Sequence, residues 1–339
     1  MKHACRRLAI ACGLMCLAGG IACANPALAI ADQPSLGGKR VLFLGDSITQ
    51  DGTYVSFIEY YLQKLYADQT FDIISIGLSS ETVSGLSEKT HPFPRPCLHE
   101  RLGRSLDKVK PDMVVACYGM NDGIYHPQSA DRTKRFQDGI MKLINDAHAV
   151  EANLILLTPP PFDRVPLAGR VLNDDADDYS YERPYYRYNS VLEDYSRWIT
   201  GLHPSGVFTV DLNTPMTQYL NRRRVDDPAF CFSKDGIHPS RTGHLMMARI
   251  FLKALGVPIE ENDLDSELSR VTSDPLFSLV DQHRKIRSSG WLAYVGYTRG
   301  ETVREDSISD TEQKAAALQK QIDQMTRQGN RRTAVFEVD

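Results

Sequence analysis

The sequence predicts an α/β fold built on a parallel sheet with both faces covered. Five short apolar runs, Arg40–Leu44, Phe71–Ile76, Met113–Cys117, Asn153–Thr158 and Val207–Leu212, lack the strict alternation of a strand with one wet face. Each is followed, directly or after a loop, by a stretch with helical character. Glycine and proline punctuate many of the junctions. Strands that alternate with helices in this way make parallel sheets through crossover connections.

Taken in order, the first run, Val41-Leu42-Phe43-Leu44, stops at a Gly45-Asp46-Ser47 turn, and Val55, Ile58, Leu62 and Leu65 then mark a helix over Tyr54–Tyr66. The second run closes at Gly77 and leads into a small-residue loop, Leu78 to Gly85. His91-Pro92-Phe93-Pro94-Arg95-Pro96 cannot be regular helix, because proline removes amide donors and fixes φ. A helix is expected over Leu98–Val109, and Pro111-Asp112 introduces the third strand. Another helix is expected over Ala130–Val150, and Pro159-Pro160-Pro161 ends the fourth strand.

Residues 162–182 read as a polar loop whose acids, Asn173 to Asp178, lack the glycine and spacing of a calcium loop. Helices are expected over Pro184–Leu202 and Thr242–Leu255, with Gly256-Val257-Pro258 as a stop. Beyond about Ile259 no further strand of the earlier kind is expected. The tail reads as a helical appendage, with a basic segment Asp281–Ser288, an aromatic run Trp291–Tyr297 and an exposed helix over Thr311–Gln328 striped by Leu318, Ile322 and Met325. Arg284, Arg287, Trp291 and Tyr297 could cap a site rim or simply cover an apolar face.

Composition narrows the functional classes. Hydrophobic residues make up 42% and charged residues 24% of the 339, an ordinary globular balance. A net charge of −4 argues against nucleic acid or an anionic membrane as partner. Lys2, Arg6 and Arg7 precede an uncharged apolar run, Leu8 to Ile21, with small-residue cleavage candidates at Ala22-Cys23-Ala24 and Ala27-Leu28-Ala29. A secretory leader over residues 1–29 is expected, with a secreted or periplasmic mature chain and no stable membrane insertion. Lipid anchoring through Cys23 is the lesser alternative, since Gly20 stands where a larger aliphatic residue is usual. Of the later cysteines, Cys117 reads as a core thiol, while Cys97 and Cys231 could form a disulfide. There is no C-x-x-C pair and hence no expected structural metal.

Three loops beyond predicted strands carry the chemistry: Gly45-Asp46-Ser47, Tyr118-Gly119-Met120-Asn121-Asp122, and Ser233-Lys234-Asp235-Gly236-Ile237-His238-Pro239. Open parallel sheets place ligands at this carboxyl edge. A serine hydroxyl is a weak nucleophile until a base takes its proton. His238 can be that base, and Asp235 on the same loop can orient it and stabilise the imidazolium. The oxyanion of an acyl-transfer intermediate needs fixed donors, which the Asn121 side-chain amide and the backbone N–H groups of Ser47 and of a residue near Ser80 can supply. Asp46, Gly119 and His126 are further candidates for the pocket; His126 reads first as a surface-loop residue. His244 reads as a capping or packing residue, and Arg222-Arg223-Arg224 as a solvated helix end. Tyr181, Tyr185, Tyr186 and Tyr188 could stack on a sugar or fill core.

These three blocks resemble those of the SGNH, or GDSL-type, hydrolase superfamily of esterases and lipases, in the same order and over about residues 39–257. The resemblance implies a three-layer, flavodoxin-like hydrolase domain over residues 36–258, a Ser47/His238/Asp235 triad, a Ser47/Ser80/Asn121 oxyanion hole and no cofactor or metal. The second block departs from the family, which usually has glycine where Ser80 stands; Gly77 is the alternative donor. Residues 259–339 then form a helical extension. The expected activity is esterase, first on O-acetyl groups of carbohydrates, with small-molecule or polysaccharide esters as partners and the oligomeric state open. A lipase, lysophospholipase or thioesterase, or a non-catalytic carbohydrate-binding or assembly protein on the same fold, are the alternatives.

Overall fold

The computed structural model describes residues 33–260, 262–304 and 306–336, with side chains to residue 327. The expected leader and the Cys23 anchor lie outside them. Five strands form one parallel sheet: β1 (Arg40–Gly45), β2 (Asp72–Ser75), β3 (Met113–Cys117), β4 (Asn153–Leu157) and β5 (Val207–Val210). Their order is β2-β1-β3-β4-β5. β1 pairs with both β2 and β3, with Val41 opposite Ile73 on one side and Met113 on the other. All of β3 is buried, as is β1 beyond Arg40, which is why these runs show no alternation.

The connections follow from handedness. A right-handed crossover places its helix on a face set by the direction in which the chain moves across the sheet. The step from β1 out to β2 uses α2 (Thr53–Leu65), whereas the opposite steps to β3, β4 and β5 use α3 (Leu98–Val109), α4 (Ala130–His148) and α5 (Tyr188–Thr200). α3 accordingly neighbours α4, while α2 neighbours α7 (Arg241–Ala254). The reversal between β1 and β3 is a switch point, and it opens a crevice at their carboxyl ends.

Two helices exceed the sequence reading. Ser47–Asp51 is a separate one-turn helix, α1, capped at its start by Asp46, whose Oδ1 accepts the Ile48 amide at 2.9 Å. It ends at Gly52 in the left-handed region (φ 67°), where the guanidinium of Arg284 leaves no room for a Cβ. α6 (Asn213–Asp226) buries only Asn213, Met216 and Leu220, too few apolar positions for its period to show. α5 starts later than expected because the Tyr185 and Tyr186 amides donate to Tyr125 and Leu172 carbonyls instead.

The tail is helical, with α8 (Leu264–Thr272), α9 (Pro275–Val295) and α10 (Ser309–Phe336), but it also holds an unexpected antiparallel hairpin. The hairpin pairs β6 (Tyr297–Arg299) with β7 (Glu301–Val303) around Gly300 at φ 72°. From Pro34 onward the described residues form one compact unit. α9 packs on α2 and β2, and α10 lies along α9. Arg287 donates to the Ile73 carbonyl at 2.9 Å and pairs with Asp72 at 2.7 Å, and Trp291 donates to Glu312. Arg284 donates to Ser56 at 2.8 Å. Arg284 therefore ties α9 to α2, Arg287 ties it to β2, and Trp291 ties it to α10; none of the three, nor Tyr297, lines the cavity beside Ser47. Cys97, Cys117 and Cys231 are free thiols, so the conceivable Cys97–Cys231 disulfide is not formed. No described helix is long and apolar enough to cross a membrane.

Candidate active site

The three loops meet at the switch-point crevice. Ser47 is the first residue of α1. Its Oγ lies 2.8 Å from His238 Nε2, and His238 Nδ1 lies 2.7 Å from Asp235 Oδ2. The other carboxylate oxygen, Oδ1, accepts from the Ser233 hydroxyl at 2.7 Å and from the Ile237 and His238 amides at 3.0 and 2.8 Å. Asp235 is thus locked in orientation, and since it can only accept, Nδ1 carries the imidazole proton and Nε2 faces the serine as an acceptor.

Charge follows geometry. Burial alone would raise Asp235, but its hydrogen bonds from His238, Ser233 and Ile237 outweigh this and hold it well below the usual carboxylate range. The Asp235 bond raises His238 above its ordinary value against the effect of burial. Asp46 is fully buried beneath α1; desolvation lifts it to about 7, although the Ile48 amide and His238 pull the other way. His244 is also buried, with Nδ1 accepting the Tyr54 amide at 3.2 Å and Nε2 3.2 Å from Asp51. Burial lowers it to about 4, so it serves as a neutral cap on the first turn of α2.

Donors surround the serine. The Ser47 amide sits in the first helical turn, where no intrahelical acceptor exists. Asn121 gives one Nδ2 hydrogen to the Glu81 carbonyl at 3.2 Å and accepts the Tyr125 hydroxyl at 2.9 Å, which leaves its second amide hydrogen for the cavity. Ser80 adopts φ 69°, the left-handed region that glycine occupies at least cost. Gly77 does not line the cavity; it packs on the backbone of Thr49 and Gln50 too closely for any Cβ.

The loop bearing Ser80 is held from below. Glu81 forms a fully buried ion pair with Arg101 at 2.7 Å and accepts the Tyr118 hydroxyl at 2.6 Å. Asp122 accepts the Val83 and Ser84 amides at 2.9 and 2.8 Å, tying the Asn121 loop to the Ser80 loop. Burial raises Asp122 to about 6.

A cavity of about 230 Å³ opens beside Ser47, lined also by Ser80, Asn121, His238, His91, Phe93, Arg95, Tyr125, Tyr181 and Arg299 among others. The expected pocket residues Asp46, Gly119 and His126 do not line it. Asp46 is buried as the α1 cap, Gly119 packs on Pro159, and His126 binds the Ile124 carbonyl and faces Tyr179. Of the four tyrosines only Tyr181 reaches the cavity; Tyr188 is core, and Tyr185 and Tyr186 hold Asp174. Arg224 pairs with Asp163 and Arg223 binds Tyr219, so only Arg222 of that run is exposed. His91, Phe93, Arg95 and Arg299 carried no sequence signal, because a proline-rich loop and a hairpin distant in sequence bring them in. A larger depression of about 590 Å³ near Asp163, Arg187 and Arg224 holds no histidine. No group of side chains suited to a metal occurs among the described residues.

The sequence profile of the GDSL-like lipase/acylhydrolase family matches residues 43–246, which span all three loops. The chain belongs to this family. As a GDSL-like acylhydrolase it is a carboxylic ester hydrolase. It is similar to an acetylxylan esterase of Geobacillus stearothermophilus, 23% identical over 238 residues covering 65% of this chain and 94% of that one. Among solved structures, a mutant of the acetyl-xylooligosaccharide esterase Axe2 from Geobacillus matches at 20% identity and a TM-score of 0.50, over 68% of this chain and all of the other. That match shows the three-layer fold of this GDSL-like chain. A gut microbial diltiazem-metabolizing enzyme matches at 22% identity and a TM-score of 0.49, over 66% of this chain; the GDSL-like chain spans 48% of that enzyme's length.

Proposed function

We propose that this chain is an exported serine esterase that removes O-acetyl groups from carbohydrates through an acyl-enzyme. The observation that carries the reading is the continuous row Ser47 Oγ–His238–Asp235, with links of 2.8 and 2.7 Å, beside a cavity that Asn121 and Ser80 also line. Ser47 Oγ attacks the ester carbonyl while His238 Nε2 takes its proton, and Asp235 stabilises the imidazolium. The oxyanion lies among the Ser47 and Ser80 amides and Asn121 Nδ2. On collapse the alcohol leaves with the proton from His238, and acetate remains on Ser47 as an ester. His238 then deprotonates water, the hydroxide attacks the acetyl carbon, and Ser47 leaves with the returned proton.

Acetyl is favoured as the acyl group because about 230 Å³ is small against the roughly 300–1,000 Å³ of typical ligand sites. Sugar is favoured by the aromatic wall of Phe93, His91 and Tyr181 and by the resemblance to an acetylxylan esterase. Export rests on the basic and apolar pattern of the first residues. The domain assignment, with the esterase unit over residues 36–258 and a supporting extension after it, belongs to the same proposal. The test is acyl-chain profiling on 4-nitrophenyl esters together with acetate release from a panel of acetylated polysaccharides. Acetyl should be preferred; a preference for eight or more carbons would turn the reading to a lipase or thioesterase.

A further inference from the structure

The hairpin β6–β7 brings one cation to the mouth of the cavity. Gly300 sits against Phe93, and the Arg299 guanidinium lies over the Phe93 ring, 5.2 Å from its centroid. Arg299 Nη2 donates to Ser79 Oγ at 3.4 Å. Among the described residues it forms no ion pair, and Glu301, opposite it in the hairpin register, does not engage it. Its neighbours do not cancel its charge. No aspartate or glutamate lines the cavity. Glu88 is committed to Arg95 by two bonds of 2.6 Å, and Glu182 accepts the Tyr181 hydroxyl at 3.2 Å. His91 presents its Nδ1 hydrogen to the Phe93 carbonyl, and burial, with Arg95 and Arg299 adding to it, holds it below its ordinary pKa. Arg299 is thus the one lining cation that no carboxylate pairs with among the described residues.

We propose that Arg299 forms a carboxylate-binding subsite and that the favoured substrate is an O-acetyl sugar bearing a carboxylate, an acetylated uronate. The flat guanidinium offers paired donors that match a carboxylate, and stacking on Phe93 holds it in one orientation. With Arg299 over the Phe93 ring, Tyr181 on the cavity wall, its centroid 5.5 Å from that of His91, gives the sugar ring an aromatic neighbour. This rests on the esterase reading above.

The experiment compares acetate release from O-acetylated methyl glucuronoside and O-acetylated methyl glucoside. Wild type should favour the glucuronoside in kcat/KM by about tenfold, the low end for a charge-assisted bond because Arg299 is exposed. Arg299→Gln should erase that ratio through KM, Arg299→Lys should keep part of it, and Arg299→Glu should reverse it, all with melting temperatures near wild type. High salt should shrink the wild-type ratio. An unchanged ratio in Arg299→Gln, or equal losses on both sugars, overturns the subsite. A wild type that takes a fluorophosphonate on Ser47 but shows no preference overturns the subsite alone. One that neither takes the probe nor releases acetate overturns the esterase reading as well.

Discussion

Asp235→Asn is the substitution that separates orientation from mere proximity. The Asp235 side chain uses Oδ1 for the Ser233 hydroxyl and the Ile237 and His238 amides, and Oδ2 for His238 Nδ1 alone. An asparagine that keeps its oxygen at Oδ1 retains all three outer bonds, so the loop should stay folded. Its NH2 group then faces Nδ1, which can meet it only as an acceptor. The imidazole proton moves to Nε2 and points at Ser47, and the base is lost. By analogy with other triads the fall in kcat should be roughly ten-thousand-fold, or about 5 kcal/mol of transition-state stabilisation. The assay is 4-nitrophenyl acetate turnover with a parallel urea melt.

The pH profile sharpens the test. His238 must be neutral to act as base, and Asp235 raises its pKa, so the acid limb of wild-type kcat/KM should have its midpoint above about 6.5. With Asp235→Asn any residual limb should shift to lower pH. A variant within tenfold of wild type, at unchanged stability, would refute the role assigned to the Asp235–His238 bond.

Four further outcomes are expected. Tyr125→Phe leaves the buried Asn121 oxygen without its 2.9 Å donor, so stability should fall by about 1–3 kcal/mol and kcat should drop while KM holds; an unaffected kcat would mean that Asn121 needs no such clamp. Ser80→Gly relieves a left-handed serine, worth about 1–2 kcal/mol, against a glycine entropy cost of about 0.5–1 kcal/mol, so urea melts should show equal or slightly higher stability and turnover should persist. A large loss of turnover would assign a role to the Ser80 hydroxyl. Glu81→Gln strands the buried Arg101 charge and should cost about 3–5 kcal/mol by urea denaturation, far more than the loss of an exposed pair. His244 has a folded pKa of about 4, below its unfolded value near 6.5, so the unfolded state binds more protons between them. Its contribution is present above about 6.5 and lost as pH falls through 4, on the order of 3 kcal/mol, and His244→Gln should flatten that part of the stability–pH curve.

The sheet was legible because its central strands are buried on both sides, so that a continuous apolar run such as Met113–Cys117 marks a strand by itself. Ser47 and Asn121 were legible because each follows a strand within a few residues, and Asp235 and His238, although α6 separates them from β5, because they stand three residues apart on one loop. Their chemistry also has few other uses in that combination. Residues that chain return in three dimensions brings to the cavity leave no such mark in the sequence. Arg299 reaches the cavity through a hairpin whose strands each span three residues, and Phe93 and His91 reach it from a loop that proline keeps irregular. α6 was hidden by its polar sequence, with Met216 and Leu220 as its only buried apolar anchors. Asp46, although it stands beside Ser47 in sequence, turns inward because capping α1 requires its carboxylate at the Ile48 amide.

The claim that Ser47 is the nucleophile of this esterase is tested most directly by intact-protein mass after exposure to a fluorophosphonate, with peptide mapping of the adduct. Wild type should gain one adduct, on Ser47, and lose acetylesterase turnover in proportion, while Ser47→Ala should remain unmodified and inactive. An adduct on another residue, or acetate release that survives Ser47→Ala, would contradict it.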